Sequence, residues 1–369
     1  MFLIDRRYFR YFDWIGFLLM LLIAGLGLLF VFSATYKPEL PYSKFFKMQL
    51  FGIISGLLIY FICSTQDYRY LMRWGYFLYF GVLGLLVFTI IKGSWAMGGQ
   101  RWIDLGIIKV QPSELAKLLF PAFTAYYFQT QRDNFEHKFK DFIPPLIILG
   151  ISALLIRKQP DLGTALILSF SGLFMFWFAG INKKFFIGLL LTSLIAAPLI
   201  WNVLLKPYQK KRIEVFLGEG DMRKERYQIE QSKIAIGSGG FFGKGYLQGT
   251  QNKLHFLPES RTDFIFSVLC EEWGFLGALL VLSLYTLLFL HFFVIIKTIT
   301  SPYAQLLAFG LVIHIILSAL VNLGMVMGLL PIVGIPLPLF SYGVASLWIT
   351  FASLGWFNNI AIRRFYIGD

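Results

Sequence analysis

Apolar residues fall in ten runs along the chain, at about 14–34, 45–63, 74–91, 114–128, 142–156, 162–180, 185–205, 265–296, 303–328 and 345–361, separated by short polar connections. Several are short or interrupted by Gly and Pro, but most approach the ~20 residues a helix needs to cross a bilayer. The pattern predicts an all-α polytopic membrane protein of about ten transmembrane helices. An even number of spans puts both termini on one side. Lys and Arg in the short connections number thirteen on that side against eight on the other, so the positive-inside bias predicts cytoplasmic termini. The basic stretch Met1–Asp13 precedes an apolar run longer than the ~7–15 residues of a signal-peptide core. That run therefore reads as the first membrane anchor.

The overall proportions agree. Of 369 residues, 57% are hydrophobic and 14% charged, against about 25% charged in ordinary soluble domains. A soluble enzyme, a secreted module and a disordered scaffold are excluded. The net charge of +13 sits mostly between apolar runs, which points to anionic headgroups or a phosphorylated lipid rather than nucleic acid. Cys63 and Cys270 fall in or beside predicted spans, so they supply neither a disulfide framework nor a CxxC site. His137, His255, His291 and His314 show no metal-ligand spacing.

Three connections on the predicted outer side are more than linkers: 93–113, 157–165 and the long loop 206–263 between spans 7 and 8. A loop beyond ~12–15 residues is usually functional or disordered, and the helical stretch Arg223–Ile236 argues against disorder. Gly237–Gly245, GSGGFFGKG, looks like a phosphate-binding P-loop but has the wrong glycine spacing and Gly245 in place of the Ser or Thr. Its glycines are expected to form a tight turn whose backbone donors are still available to a phosphate.

The candidate chemistry lies in four further segments. In PESRTDFIFS (258–267), Glu259, Ser260, Arg261 and Asp263 crowd a membrane boundary, with Glu271 and Glu272 one or two turns deeper. Asp263 has two readings: an N-capping acid, or a carboxylate whose pKa is raised beside Phe264 and Phe266 into the range of a general base. In QPSELAK (111–117), Ser113 is the expected N-cap, and Glu114 and Lys117 fall on one face of an apolar span. They are either a helix-end ion pair or a buried functional pair. Asp161, after Pro160 at a span boundary, reads first as a cap. Pro331, Pro336 and Pro338 cannot sit in a continuous helix, so 322–346 is expected to be broken backbone lining a cavity.

Several long stretches resemble the SEDS family (shape, elongation, division and sporulation proteins), on its elongation side. They are GGQRWIDLG (98–106), VQPSELAK (110–117), QPDLGTA (159–165), the segment 227–274 from YQIEQSK to CEEWG, and GLLPIVGIPLPLFSYG (328–343). The resemblance covers nearly the whole chain. One departure is Val344-Ala345 where the family commonly has Gly-Ser, which is expected to narrow a cavity wall.

The resemblance implies a single domain over 1–369 in the bacterial inner membrane, with the 206–263 loop and the catalytic face outside. It implies polymerisation of lipid II into β-1,4 glycan strands, with inversion and release of undecaprenyl pyrophosphate. The family's catalytic Asp matches Asp263, and Glu114 and Lys117 match its functional pair. Arg101, Asp161, Arg212 and Lys233, with Glu259 and Ser260, are the expected substrate-binding residues. A divalent cation (Mg2+ or Mn2+), no organic cofactor, a class B penicillin-binding protein as transpeptidase partner and the elongation machinery complete the expectation. The alternative with the same architecture is a flippase for lipid-linked precursors.

Overall fold

The structure, a computed structural model, describes residues 10–96, 99–104, 106, 109–131, 137–205, 207–219, 226–253 and 256–365. A helix covers each of the ten apolar runs. In chain order these are α1 (Trp14–Thr35), α2 (Lys44–Thr65), α3 (Tyr68–Lys92), α4 (Pro112–Gln131), α5 (Phe139–Lys158), α6 (Leu162–Phe178) and α7 (Lys183–Leu199). After α8 to α10 of the long connection come α11 (Ile265–Lys297), α12 (Pro302–Val326) and α13 (Val344–Arg363). Six of them, α1, α2, α3, α5, α11 and α12, are long and apolar enough to cross a membrane.

The helix ends follow local chemistry. Asp13 accepts from the Gly16 amide at 3.0 Å and Ser43 from the Phe46 amide at 3.1 Å, each satisfying a donor that the first turn leaves free. α4 starts at Pro112, whose missing N–H suits the first helical position. Ser113 therefore lies inside the helix and is not its cap, and its hydroxyl accepts from Gln111 Nε2 at 2.9 Å.

Three further features depart from the sequence reading. The chain is not purely helical, because Ser94–Ala96 (β1), Gly99–Asp104 (β2) and Lys109–Val110 (β3) form a small antiparallel sheet. The long connection contains α8 (Pro207–Phe216), α9 (Tyr227–Ser238) and α10 (Thr250–Lys253). Of the helix expected from Arg223, residues 223–225 lie outside the described residues, and its body appears as α9.

The third departure concerns the glycine-rich turn. α11 breaks at Gly274 (φ 62°, ψ −156°), and Gly237–Gly245 packs into the break. Lys244 N and Gly245 N donate to the carbonyls of Glu271 and Glu272 at 3.0 and 2.9 Å, while Phe275 N and Leu276 N donate to those of Gly240 and Phe241 at 2.9 and 3.2 Å. A Cβ on Gly239 or Gly243 would collide with the carbonyls of Cys270 or Glu272. The turn is tight, as expected, but it is no phosphate cradle: the Lys244 and Gly245 amides are already committed to the helix.

α12 is enclosed along almost its whole length, with α4, α6, α11 and α13 packed around it. α7 buries none of its residues. Between α12 and α13 the proline-rich segment 327–343 is non-helical, as its three prolines predict. α13 lies along α2 on small residues: Gly56 faces Phe351, Gly52 faces Leu347 and Val344, and Gly355 faces Tyr60. Val344 is thus accommodated against Gly52 and does not narrow the cavity beside α13, whose wall is made by Ser346, Ile349 and Thr350.

A side chain at Gly355 would meet the Tyr60 carbonyl at 2.5 Å, so the helices must separate to admit one. Gly355→Val is expected to destabilise the protein by about 1–3 kcal/mol, read as a lower melting temperature in detergent. An unchanged melt would show that the α2–α13 contact is looser than described.

Candidate active site

Asp263 stands two residues before α11. The helix is preceded by Phe264, with no side-chain cap, so the capping reading of Asp263 fails. The turn that presents it is wound on one carbonyl: Glu259 O accepts from Thr262 N at 3.1 Å and from Phe264 N at 3.3 Å. Glu259 itself has φ 51°, a strained conformation for a residue with a side chain. The missing side chain of Gly334 leaves the far side open, since a Cβ there would lie 3.4 Å from Asp263 Oδ2.

Burial pushes the Asp263 carboxyl from 3.8 up to about 6, and the Glu259 charge pushes the same way. Arg212 and Arg101 pull it back, as does a hydrogen bond from Thr262. The structure therefore brings Asp263, Glu259, Arg101 and Arg212 into one electrostatic neighbourhood. Arg101 also lies 3.4 Å from Asp161 Oδ2. Asp161 does cap α6, accepting from the Thr164 amide at 3.1 Å. It accepts in addition from Gln111 Nε2 at 2.6 Å, which ties the β-sheet segment, α4 and α6 together.

Glu114 and Lys117 form an ion pair at 2.7 Å with each side chain 9% exposed. They line a cavity with His314, Ser318, Pro336 and Thr350. Among the described residues no hydrogen bond or ion pair joins this pair to Asp263. Lys233 is 48% exposed, lies 3.9 Å from Glu230 and rests its side chain over Gly328. Glu259 is exposed and Ser260 partly so, and Ser260 makes no side-chain hydrogen bond among the described residues. Glu271 and Glu272 are buried as expected, Glu271 against Lys244 at 2.6 Å and Glu272 against the Ser33 hydroxyl at 2.5 Å.

Sequence reasoning passed over Gln49, Asn322 and Ser341, all buried and all bonded around the Asp263 turn and the broken segment. The signal was available for two of them, as Gln49 and Asn322 are amides set within long apolar runs. As for a metal, no group of three or more His, Cys, Asp or Glu among the described residues could hold one. Asp161 is already paired with Arg101, which leaves Asp263 and Glu259 as the acids of this neighbourhood, too few to hold a resident cation by protein groups alone.

Two outcomes follow. A carboxyl with a higher pKa folded than unfolded binds more protons in the native state between about pH 4 and 6. Its charge therefore opposes folding increasingly across that window and fully above it. Asp263→Asn should raise stability at pH 7–8, by up to about 3 kcal/mol, with no gain below about pH 4. Melting curves across pH check this. For the buried pair, Lys117→Met should destabilise by about 3–5 kcal/mol because it strands Glu114, and adding Glu114→Gln should recover much of the loss. A double variant as unstable as the single would overturn that account.

Comparison with known proteins matches this chain to one family. A model of the FtsW/RodA/SpoVE family, described as a cell cycle protein, matches residues 13–365. Peptidoglycan glycosyltransferase MrdB of Escherichia coli (strain K12) is 40% identical over 315 residues, covering 85% of this chain and 84% of its own. The MrdB of Helicobacter pylori (strain J99) is 34% identical over 371 residues, covering 99% and 94%. Among solved structures, a chain of a peptidoglycan synthase complex that coordinates polymerization and crosslinking superposes with a TM-score of 0.82 at 29% identity, covering 96% of this chain and 98% of that one. The rod shape determining protein RodA of Thermus thermophilus does so at 0.71 and 28%, with the same coverage. The chain belongs to the FtsW/RodA/SpoVE family of SEDS proteins.

Proposed function

We propose that this chain, a peptidoglycan glycosyltransferase and an integral protein of the inner membrane, polymerises lipid II at a site centred on Asp263. The observation that carries the proposal is a carboxylate that caps no helix, has a pKa near 6 and lies within the field of two arginines. Ten spans with cytoplasmic termini are part of the proposal, as the charge pattern suggests, and with them that site and the 206–263 segment lie on the outer face.

Lipid II is α-linked to its diphosphate and the product is β-1,4 linked, so one inverting displacement suffices. Asp263 takes the proton of the acceptor GlcNAc 4-hydroxyl. The oxygen forms a bond to the anomeric carbon of the growing chain's MurNAc, and the bond from that carbon to the diphosphate oxygen breaks, its electron pair leaving with undecaprenyl pyrophosphate. Fixed positive charge where that negative charge develops lowers the barrier; Arg101 and Arg212, whose charges act on Asp263, are proposed to supply it, with Lys233 as a third candidate. Glu114 and Lys117 neutralise each other beneath the broken segment and shape the cavity there. The proposed Mg2+ or Mn2+ would arrive on the lipid's diphosphate, and its part would be to neutralise the leaving group. The partner is proposed to be a class B penicillin-binding protein, by analogy with the solved complex that couples polymerization to crosslinking.

The flippase alternative needs ionisable groups that a passing substrate can reach inside the membrane. The buried acids here are occupied, Glu114 by Lys117 and Glu271 by Lys244.

Polymerisation of lipid II by the purified protein with its transpeptidase partner tests the assignment. Asp263→Asn should lose a hundredfold or more, while undiminished polymer would remove Asp263 from the mechanism. A base must be deprotonated, so wild-type activity should fall as the pH drops through about 6. Glu259→Gln removes a like charge and should move that limb to lower pH. Arg212→Gln removes an opposite charge and should move it higher. Limbs that stay in place would mean that another group sets the profile.

A further inference from the structure

Asn322 lies inside α12, fully buried, where an amide without partners would cost several kcal/mol. Its Nδ2 contacts two carbonyl oxygens, Asp263 O at 2.9 Å and Ile335 O at 2.7 Å. Both are acceptors, so the group facing them is the NH2 and both of its protons are used.

This bond completes a series. Three successive carbonyls of the turn are each taken by a donor from the 322–342 region. Arg261 O accepts from Tyr342 N at 3.0 Å, Thr262 O from the Ser341 hydroxyl at 2.5 Å, and Asp263 O from Asn322. The far side of the series is fixed to α2, because Gln49 donates to Ser341 O at 3.0 Å and accepts from Gly343 N at 3.2 Å.

Asn322 is the member that grips Asp263 itself, and its second proton grips the residue after Gly334, the glycine opposite Asp263 Oδ2. One side chain thus sets the spacing between the backbone of the base and the wall its carboxylate faces. Only a primary amide offers two N–H groups from one nitrogen at this reach. A carboxyl or hydroxyl offers one at most and an aliphatic side chain none.

We infer that Asn322 is a positioning residue for glycosyl transfer, acting through Asp263 by clamping its carbonyl and that of Ile335 at a fixed separation. The inference rests on the reading of Asp263 as the base.

The test uses the full chain in complex with its transpeptidase partner, with lipid II as substrate, and measures kcat and KM for Asn322→Ala alone and in the Asp263→Asn background. A misplacement of the base by about 1 Å lowers the rate up to about a hundredfold. Asn322→Ala should accordingly lower kcat by ten- to a hundredfold and change KM less than about twofold. Added to Asp263→Asn, it should cause no further loss, because the group it positions is already gone. An equal loss in both backgrounds, a change confined to KM, or wild-type kcat would each overturn the proposal. Should Asn322→Ala fail to fold, Ser341→Ala decides. It releases the adjacent carbonyl and should lower kcat about tenfold only when Asp263 is present, and wild-type kcat there would likewise overturn the inference. Full activity of Asp263→Asn by itself would instead sink the base assignment on which the inference stands.

Discussion

Backbone amides and carbonyls that lose their helical partners at membrane depth have to find others inside the protein, and this chain does so at Gly274 and over 327–343. At Gly274 the partners come from the glycine-rich turn, which supplies two donors and two acceptors across the gap. Between α12 and α13 they come in part from side chains, with Gln49, Asn322 and Ser341 each closing bonds that no helix can make. Irregular backbone at these two points is what lets the chain present carbonyls, glycines and a carboxylate at a fixed place near the end of a bundle.

The second repair reaches Asp263. Its turn is strained at Glu259, its carboxyl is held in surroundings that disfavour charge, and two arginines offset part of that penalty. Strain and perturbed titration together are expected where surrounding structure holds a group for chemistry rather than for stability. The Glu114–Lys117 pair is different in kind. Its charges satisfy one another at 2.7 Å, so it can sit deep without a substrate to neutralise it.

Much of this was legible in the sequence, and the reasons for the exceptions are physical. Ten apolar runs gave ten helices because burial in lipid leaves a strong compositional mark, and three prolines located the broken segment because proline cannot donate. The β1–β3 sheet left no such mark. Its strands are three, six and two residues long and sit in a stretch broken by glycines. The capping reading of Asp263 had no way to fail on sequence alone, since a cap and a base look alike until the helix start is fixed to within a residue. Glu114 and Lys117 were legible as a pair, because a three-residue spacing puts them on one face. Gln49 and Asn322 were visible as amides within long apolar runs, but their partners are 292 and 59 residues away, which no local pattern can reveal. The P-loop likeness failed for a related reason: glycines serve close approach of backbone to any partner, and here the partner is the chain's own helix.

That partnership has a bearing on how the chain can be taken apart. Residues 240–245 and residues 271–276 of α11 share one hydrogen-bond network, so the long connection is not an appendage that ends where α11 begins. Its natural unit of exchange runs from α9 through Leu276. A chimera joined at the visible start of α11 would pair one protein's glycines with another's broken helix. One joined beyond Leu276 would carry the splint and the fracture together.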